Sequence, residues 1–347
     1  MPGLDLLRAR GAAQRLWHER AAAVAAERFG GEVFLRGVVE ASNFCRENCA
    51  YCGMRRDNRA LDRHRARLDE LAELLVHHRP PGLTDLNLQT GEDPVAVREL
   101  VLPLLRLLAR ETPLGLSVCL GTLTPALYAE LRAAGAGLYI MKFELADADA
   151  YRRLQAPGTL DERLRHIRLL AGSGWQVSSG FIAGLPGQTE ADVLACLRLA
   201  AALPLAGCSV SPFIPGEATP LAREPAAGLD LTLNCMAALR LQRPGWIIPA
   251  VSALNLTDET GGYRRGLRTG ANLVTMNLTP PALRDDYLLY RRGRFIMNAE
   301  RIHAAVQAEG LRIATRSLLH GLEPAVAGNG AAAPVHFAAA SAVAGAA

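Results

Sequence analysis

Apolar and polar positions along the chain fall into two alternating rhythms. Residues 12–29 repeat at helical spacing, with Leu16, Trp17, Ala21, Val24 and Phe29 on one face, and predict an amphipathic helix turned inward. After Gly30-Gly31 the pattern changes to the run VFLRGVVE, residues 33–40, which reads as a strand. Strand-like runs recur at 85–89, 116–120, 138–143, 176–183, 209–213, 246–250 and 273–276. Helical patterns lie between them, for example at 68–76, 125–134, 161–171 and 190–201. Thr189 and Glu190 read as the start of the last of these. With the first run this makes eight strands alternating with helices. That alternation argues for an α/β fold, a (βα)8 TIM-type barrel over residues 33–320, rather than two doubly wound domains. Residues 1–32 would form an N-terminal helical segment. Residues 321–347 are low-complexity Ala, Gly and Pro and read as a disordered tail.

Composition narrows the setting. The chain has 347 residues, enough for one large barrel. Its net charge of +4 is small for that length and gives no warrant for nucleic-acid binding. A weakly basic patch could receive an acidic electron carrier, although a solvated surface is the plainer reading. No apolar run is long enough to span a bilayer, and no signal-peptide pattern precedes Asp5 and Arg8. Cys119, Cys196, Cys208 and Cys235 stand singly in apolar segments and read as small packing residues. Reduced, unpaired cysteines fit a cytoplasmic protein.

The remaining cysteines carry the chemistry. Cys45, Cys49 and Cys52 stand at CxxxCxxC spacing just after the first strand, with Tyr51 before the last of them. Three thiolates on a tight loop can ligate three irons of a [4Fe–4S] cluster and leave the fourth iron open. Other readings compete. A structural zinc site wants four ligands, and the nearest candidate, His64, has no partner. A disulfide would leave one cysteine over. A chance trio of buried cysteines is poorly placed among Arg46, Glu47, Asn48, Arg55, Arg56 and Asp57.

Unusual residues cluster where strands run into their following loops, the place where barrels carry active sites. The second strand leads into Gln89-Thr90-Gly91-Glu92-Asp93-Pro94. The fourth ends in Lys142-Phe143-Glu144, two charges that must pair or face a polar cavity. Arg163 follows on the next helix and suits a bidentate grip on a carboxylate. The fifth strand ends in a glycine-rich stretch with Ile182 and Gly184. Tyr287 and Tyr290 stand at helical spacing and either cap the barrel mouth or pack at its surface.

Taken together these residues resemble the biotin-synthase-like branch of radical S-adenosylmethionine (SAM) enzymes. Within it the chain resembles the HydE family of [FeFe]-hydrogenase maturases, with the PylB family of lysine-to-methylornithine mutases also related. The likeness runs from about residue 13 to about residue 320. It includes Glu40 to Asn43 before the cysteines and Gly53 to Asn58 after them. It also includes Gln89 to Asp93, Glu144 with Asp147, Gly184 to Gln188, Pro212 to Pro215, Ile248 to Ala250, and Asn277 with Thr279-Pro280.

The resemblance implies a metal set of Cys45, Cys49 and Cys52, with Tyr51 packed beside the cluster. It places Gly91 and Glu92 at the SAM ammonium, Glu144 and Arg163 at its aminoacyl part or ribose, and Ile182 and Gly184 under the adenine. It implies reductive cleavage of SAM to a 5′-deoxyadenosyl radical beside a small-molecule substrate, with Lys142, Tyr287 and Tyr290 facing that substrate. A low-potential donor such as flavodoxin or ferredoxin, and other maturases, would be partners. In a HydE-like reaction the substrate is a small amino-acid-derived molecule or a cysteine–iron complex. The alternatives are a PylB-like amino-acid mutase, another biosynthetic radical SAM enzyme, or a non-enzymatic iron–sulfur or zinc module. Biotin-type sulfur donation is not expected, because Ser178 stands where a further cysteine ligand belongs. Departures from the maturase pattern fall at Lys142, Val251-Ser252 and Thr275.

Overall fold

The structure, a computed structural model, describes residues 3–322; the tail expected over residues 321–347 lies almost wholly outside them. Strands β1 (Glu32–Ser42), β2 (Asp85–Thr90), β3 (Gly115–Cys119), β4 (Leu138–Ile140), β5 (Gln176–Ala183), β6 (Gly207–Pro212) and β7 (Leu273–Asn277) form one parallel sheet. Their order is β6-β5-β4-β3-β2-β1-β7, and a short β8 (Arg312–Ile313) pairs with the start of β1. The helices predicted between the strands are present, starting with Leu68–His77 and Pro125–Ala133. Several begin at a side-chain cap: Thr124, Asp147 and Thr159 each accept a backbone N–H, and Thr189 with Asp192 makes a full capping box.

The predicted strand at 246–250 does not form a ladder. It makes two isolated parallel bridges, Gly207 to Ile247 and Pro249 to Leu273, and these join β6 to β7 and close the barrel. Pro249 has no N–H to give, which limits the pairing. The predicted run 138–143 is also shortened: β4 stops at Ile140, and Glu144, at a left-handed φ of 64°, makes only an isolated parallel bridge to Phe181.

The first helix departs from expectation. It spans Gly11–Phe29, but of the five residues expected inward only Ala21 is buried, and Leu16 is 65% exposed. Trp17 and Phe29 are half-buried and pack against the core, and the helix docks besides through small and polar residues. Gln14 donates to Asn234 Oδ1, and His18 Nε2 lies 2.9 Å from the same atom, on the helix Leu229–Gln242. Asn234 in turn donates to the carbonyls of Leu7 and Ala9, which seats the short helix Leu4–Arg8 with Leu6 and Leu7 buried.

At the N-terminal end of the strands, Phe34, Leu138, Ile247, Leu273, Ala314 and Leu318 form an apolar plug. Beside it, Asp85 accepts from Ser317 Oγ and Leu318 N and ties the C-terminal segment to the floor. The closing segment is clasped by Arg240, which is fully buried. It donates to the carbonyls of Gly270, Pro244 and Trp246 and to Asn272 Oδ1, and lies over the Phe29 ring. Burial without a carboxylate partner pulls its pKa down to about 9.

Arg240→Met should therefore leave three buried carbonyls without a donor. A loss of about 3 kcal/mol or more of stability is expected, since each buried unsatisfied group costs roughly 1–3 kcal/mol. A urea midpoint unchanged from wild type would show that the barrel closes without this clasp.

Candidate functional site

The cysteine loop is set by its flanks. Asn43 is fully buried; its amide donates to the carbonyls of Asp62 and Asp286 and its Oδ1 accepts from His64 N. Arg63 collects the carbonyls of Asn43, Met54, Arg55 and Asn58. Arg65 forks onto Asp93, which also takes the Ser42 hydroxyl, and covers the Phe44 ring at 4.1 Å. Gly91 is needed for close approach: a Cβ there would stand 2.2 Å from Phe44 O and 2.8 Å from Cys45 Cβ. The loop is therefore pinned by polar side chains rather than by an apolar core.

Cys45, Cys49 and Cys52 line one cavity of about 260 Å³ at the C-terminal end of the strands. Tyr51, Gly91, Glu92, Lys142, Glu144, Arg163, Ile182, Tyr287 and Tyr290 line it too. The structure thus brings together every predicted site residue except Gly184. Gly184 sits behind the wall at φ 83°, where its N–H donates to Gln188 Oε1 and a Cβ would strike Ala227. A larger cleft of about 660 Å³ lies between the first helix and the far end of the barrel, away from the cysteines.

Burial dominates the protonation of the loop. It raises the Cys45 thiol, pushes Cys52 up to about 12 and holds Cys49 well above the usual thiol range. Cys45 Sγ accepts from Glu92 N at 3.3 Å. Among the described residues, no three His, Cys, Asp or Glu side chains gather around a point as ligands of a single ion would.

The charged residues answer one another. Arg163 Nη2 donates to Glu92 Oε1 at 2.8 Å, with side chains only 4% and 8% exposed, and Arg46 reaches the other Glu92 oxygen. Arg163 Nη1 also donates to Thr122. Burial opposes the Arg163 charge, but Glu92 and Tyr151 overcome it and its pKa is raised. Lys142 Nζ lies 3.2 Å from Glu144 Oε2, so the ion pair weighed from the sequence is present, and it faces the cavity. Here too burial opposes the charge and Glu144 wins.

A second lobe of about 220 Å³ continues into the barrel. Cys119, Lys142 and Tyr290 belong to the walls of both lobes. The inner one adds Arg36, Glu40, Val251, Ser252, Thr275, Asn277 and Arg294. Glu40 accepts from Asn277, Thr279 and Arg294. Sequence reasoning passed over Arg36 and Arg294 and placed Cys119 in the core, whereas it faces the cavity. Arg36 and Glu40 were findable: in VFLRGVVE they stand four apart, on one face of a strand and among apolar residues. Arg294 carries no such signal, since only the fold brings its segment over the barrel.

A profile of the Radical SAM superfamily matches residues 39–200. Over 261 residues the chain is 34% identical to the [FeFe] hydrogenase maturase subunit HydE of Thermotoga maritima, spanning 75% of this chain and 74% of that one. It is 27% identical over 266 residues to a 3-methylornithine synthase of Methanosarcina barkeri, spanning 76% and 75%. The crystal structure of methylornithine synthase PylB superposes with a TM-score of 0.77 at 24% identity, covering 89% of this chain and 92% of that one.

Gly91→Ala is expected to displace the cysteine loop, because the new methyl meets backbone that cannot yield. Iron bound per chain after anaerobic reconstitution should fall well below wild type. Gly228→Ala, where nothing lies within 4 Å, serves as the comparison. Equal iron in both variants would mean that the close approach at Gly91 does not shape the loop.

Proposed function

The chain belongs to the radical SAM superfamily, and on that premise we propose that it is a HydE-like enzyme acting on a small amino-acid-derived molecule or a cysteine–iron complex. As a radical SAM enzyme it works with a [4Fe–4S] cluster and S-adenosylmethionine. When bound, these supply a 5′-deoxyadenosyl radical to the cavity.

The donor set suits the cluster. Three soft thiols stand on one pinned loop and line one cavity. In this reading Cys45, Cys49 and Cys52 each hold an iron and Tyr51 packs beside them. Glu92 and Arg163 form a carboxylate–guanidinium pair next to Cys45, the complement of a zwitterion's ammonium and carboxylate. Binding SAM would exchange one set of ion pairs for another, so neither protein charge is left bare. Glu144 is placed to take part in that grip, and Ile182 offers an apolar surface for adenine.

One observation carries the substrate reading: the cavity runs on from the cysteines into a chamber lined by Lys142, Arg36 and Arg294. Lys142 and Arg294 are answered there by Glu144 and Glu40, whereas Arg36 has no ion pair among the described residues, and this unanswered cation in a closed barrel favours a substrate bearing a carboxylate group. Tyr287 and Tyr290 close the outer side and keep out water. Likeness to HydE favours the maturase role, with a low-potential electron donor and other maturases as partners. The second reading, an amino-acid mutase, is favoured by the likeness to 3-methylornithine synthase and by the Gly91-Glu92-Asp93-Pro94 turn. Adding the enzyme to an [FeFe]-hydrogenase maturation mixture lacking HydE tests the first reading, and restored hydrogenase activity is expected. No restoration, with conversion of lysine to methylornithine, would replace it by the second.

Two substitution series follow. Cys45→Ala, Cys49→Ala and Cys52→Ala should each abolish the four-iron absorption and SAM cleavage, whereas Cys196→Ala, Cys208→Ala and Cys235→Ala should retain the iron. Full iron in any of the first three would exclude that cysteine from the cluster. Lys142→Met should lower the ratio of product to 5′-deoxyadenosine, because the radical then meets a poorly placed target. An unchanged ratio with both yields reduced would assign Lys142 to SAM or to its pair with Glu144.

A further inference from the structure

One group on the cavity wall is used neither by the ion pairs nor by the cluster loop. Cys119 ends β3 and lines both lobes. Cys196, Cys208 and Cys235 are each 0% exposed, whereas Cys119 keeps accessible surface. A cysteine in a wall is by itself ordinary packing. A second feature of the same chamber points to a ligand. Arg36, 8% exposed, lines the inner lobe, and its Nε finds no acceptor. A buried donor left unpaired is costly, about 1–3 kcal/mol and more when charged. Arg36 also holds a charge on the wall of this chamber with no ion pair among the described residues, so a molecule bearing an acceptor group suits the chamber, and such a molecule would lie against Cys119.

We propose that Cys119 is a catalytic thiol, giving its hydrogen atom to a carbon-centred radical where the two lobes meet. The proposal rests on the radical SAM membership and not on the choice between maturase and mutase. In the step the S–H bond breaks and a C–H bond forms, leaving a thiyl radical on Cys119. One electron from the low-potential reductant and one proton, from the Lys142 ammonium, restore the thiol. An S–H bond is weaker than an aliphatic C–H bond, so the transfer runs downhill. Burial pushes the thiol up to about 11 against the pull of Lys142, so at neutral pH Cys119 keeps the hydrogen it has to give. Its position on both walls lets it meet a radical on either side of the junction.

Solvent deuterium identifies such a donor. A thiol exchanges its hydrogen with deuterium oxide, and the C–H groups of Ile140, Met141 and Ile182 do not. The reconstituted full-length enzyme is given SAM and dithionite in deuterium oxide, with no added substrate. The 5′-deoxyadenosine released should be one mass unit heavier, with the label at its 5′ carbon. In Cys119→Ser and Cys119→Ala the labelled fraction should be lost; being a fraction, it does not depend on how much is formed. A persistent label in both variants would move the donor to the phenols of Tyr287 or Tyr290 and overturn the proposal, as would unlabelled product from wild type. On the cluster-free protein, methyl methanethiosulfonate should modify Cys119 well before Cys196, Cys208 and Cys235, read by peptide mass. Modification of Cys119 no faster than these three would remove it from the cavity wall and equally overturn the proposal.

Discussion

Charge buried at the mouth of a barrel has to be answered by opposite charge, and this constraint organises the site. Glu92 and Arg163 are almost wholly out of water, and each would be costly to leave alone. Glu144 is turned toward Lys142 by a backbone conformation that non-glycine residues rarely adopt. Glu40, deep in β1, is answered by Arg294 from a segment more than two hundred residues away. The Glu92–Arg163 and Glu40–Arg294 pairs bridge different elements, so they also hold the segments that carry them.

At the mouth these charges are in direct contact, Arg163 with Glu92 at 2.8 Å and Lys142 with Glu144 at 3.2 Å, and all four residues line the cavity beside the cysteines. In the reading proposed above, a zwitterionic ligand would exchange these contacts for its own. Arg36 is different: it lines the inner chamber with no ion pair among the described residues, and its Nε is buried without an acceptor.

The scaffold makes this possible by separating its tasks. An apolar plug and the Arg240 clasp close one end of the barrel, and the strand ends at the other carry the chemistry. The likeness to HydE and to methylornithine synthase spans about three quarters of the chain. Positions where the chain departs from the maturase pattern, Lys142, Val251, Ser252 and Thr275, all line the inner lobe.

Much of this was legible along the chain. The CxxxCxxC spacing is local, and one loop suffices to bring its three thiols together. Strand and helix rhythms are local too, which is why β5 and the helix starting at Glu190 match their predicted limits so closely. The first helix misled because its docking face is made of alanine and of hydrogen bonds to Asn234, which hydrophobic periodicity does not register. Cys119 looked like a packing residue because its neighbours in sequence are apolar. Only the closing of the sheet shows that the end of β3 opens onto a cavity. The pairing of Lys142 with Glu144 could be weighed along the chain, but the partners of Glu92 and Glu40 were beyond the sequence, for a physical reason. A buried charge must be matched in space, and the barrel decides which distant residues share that space.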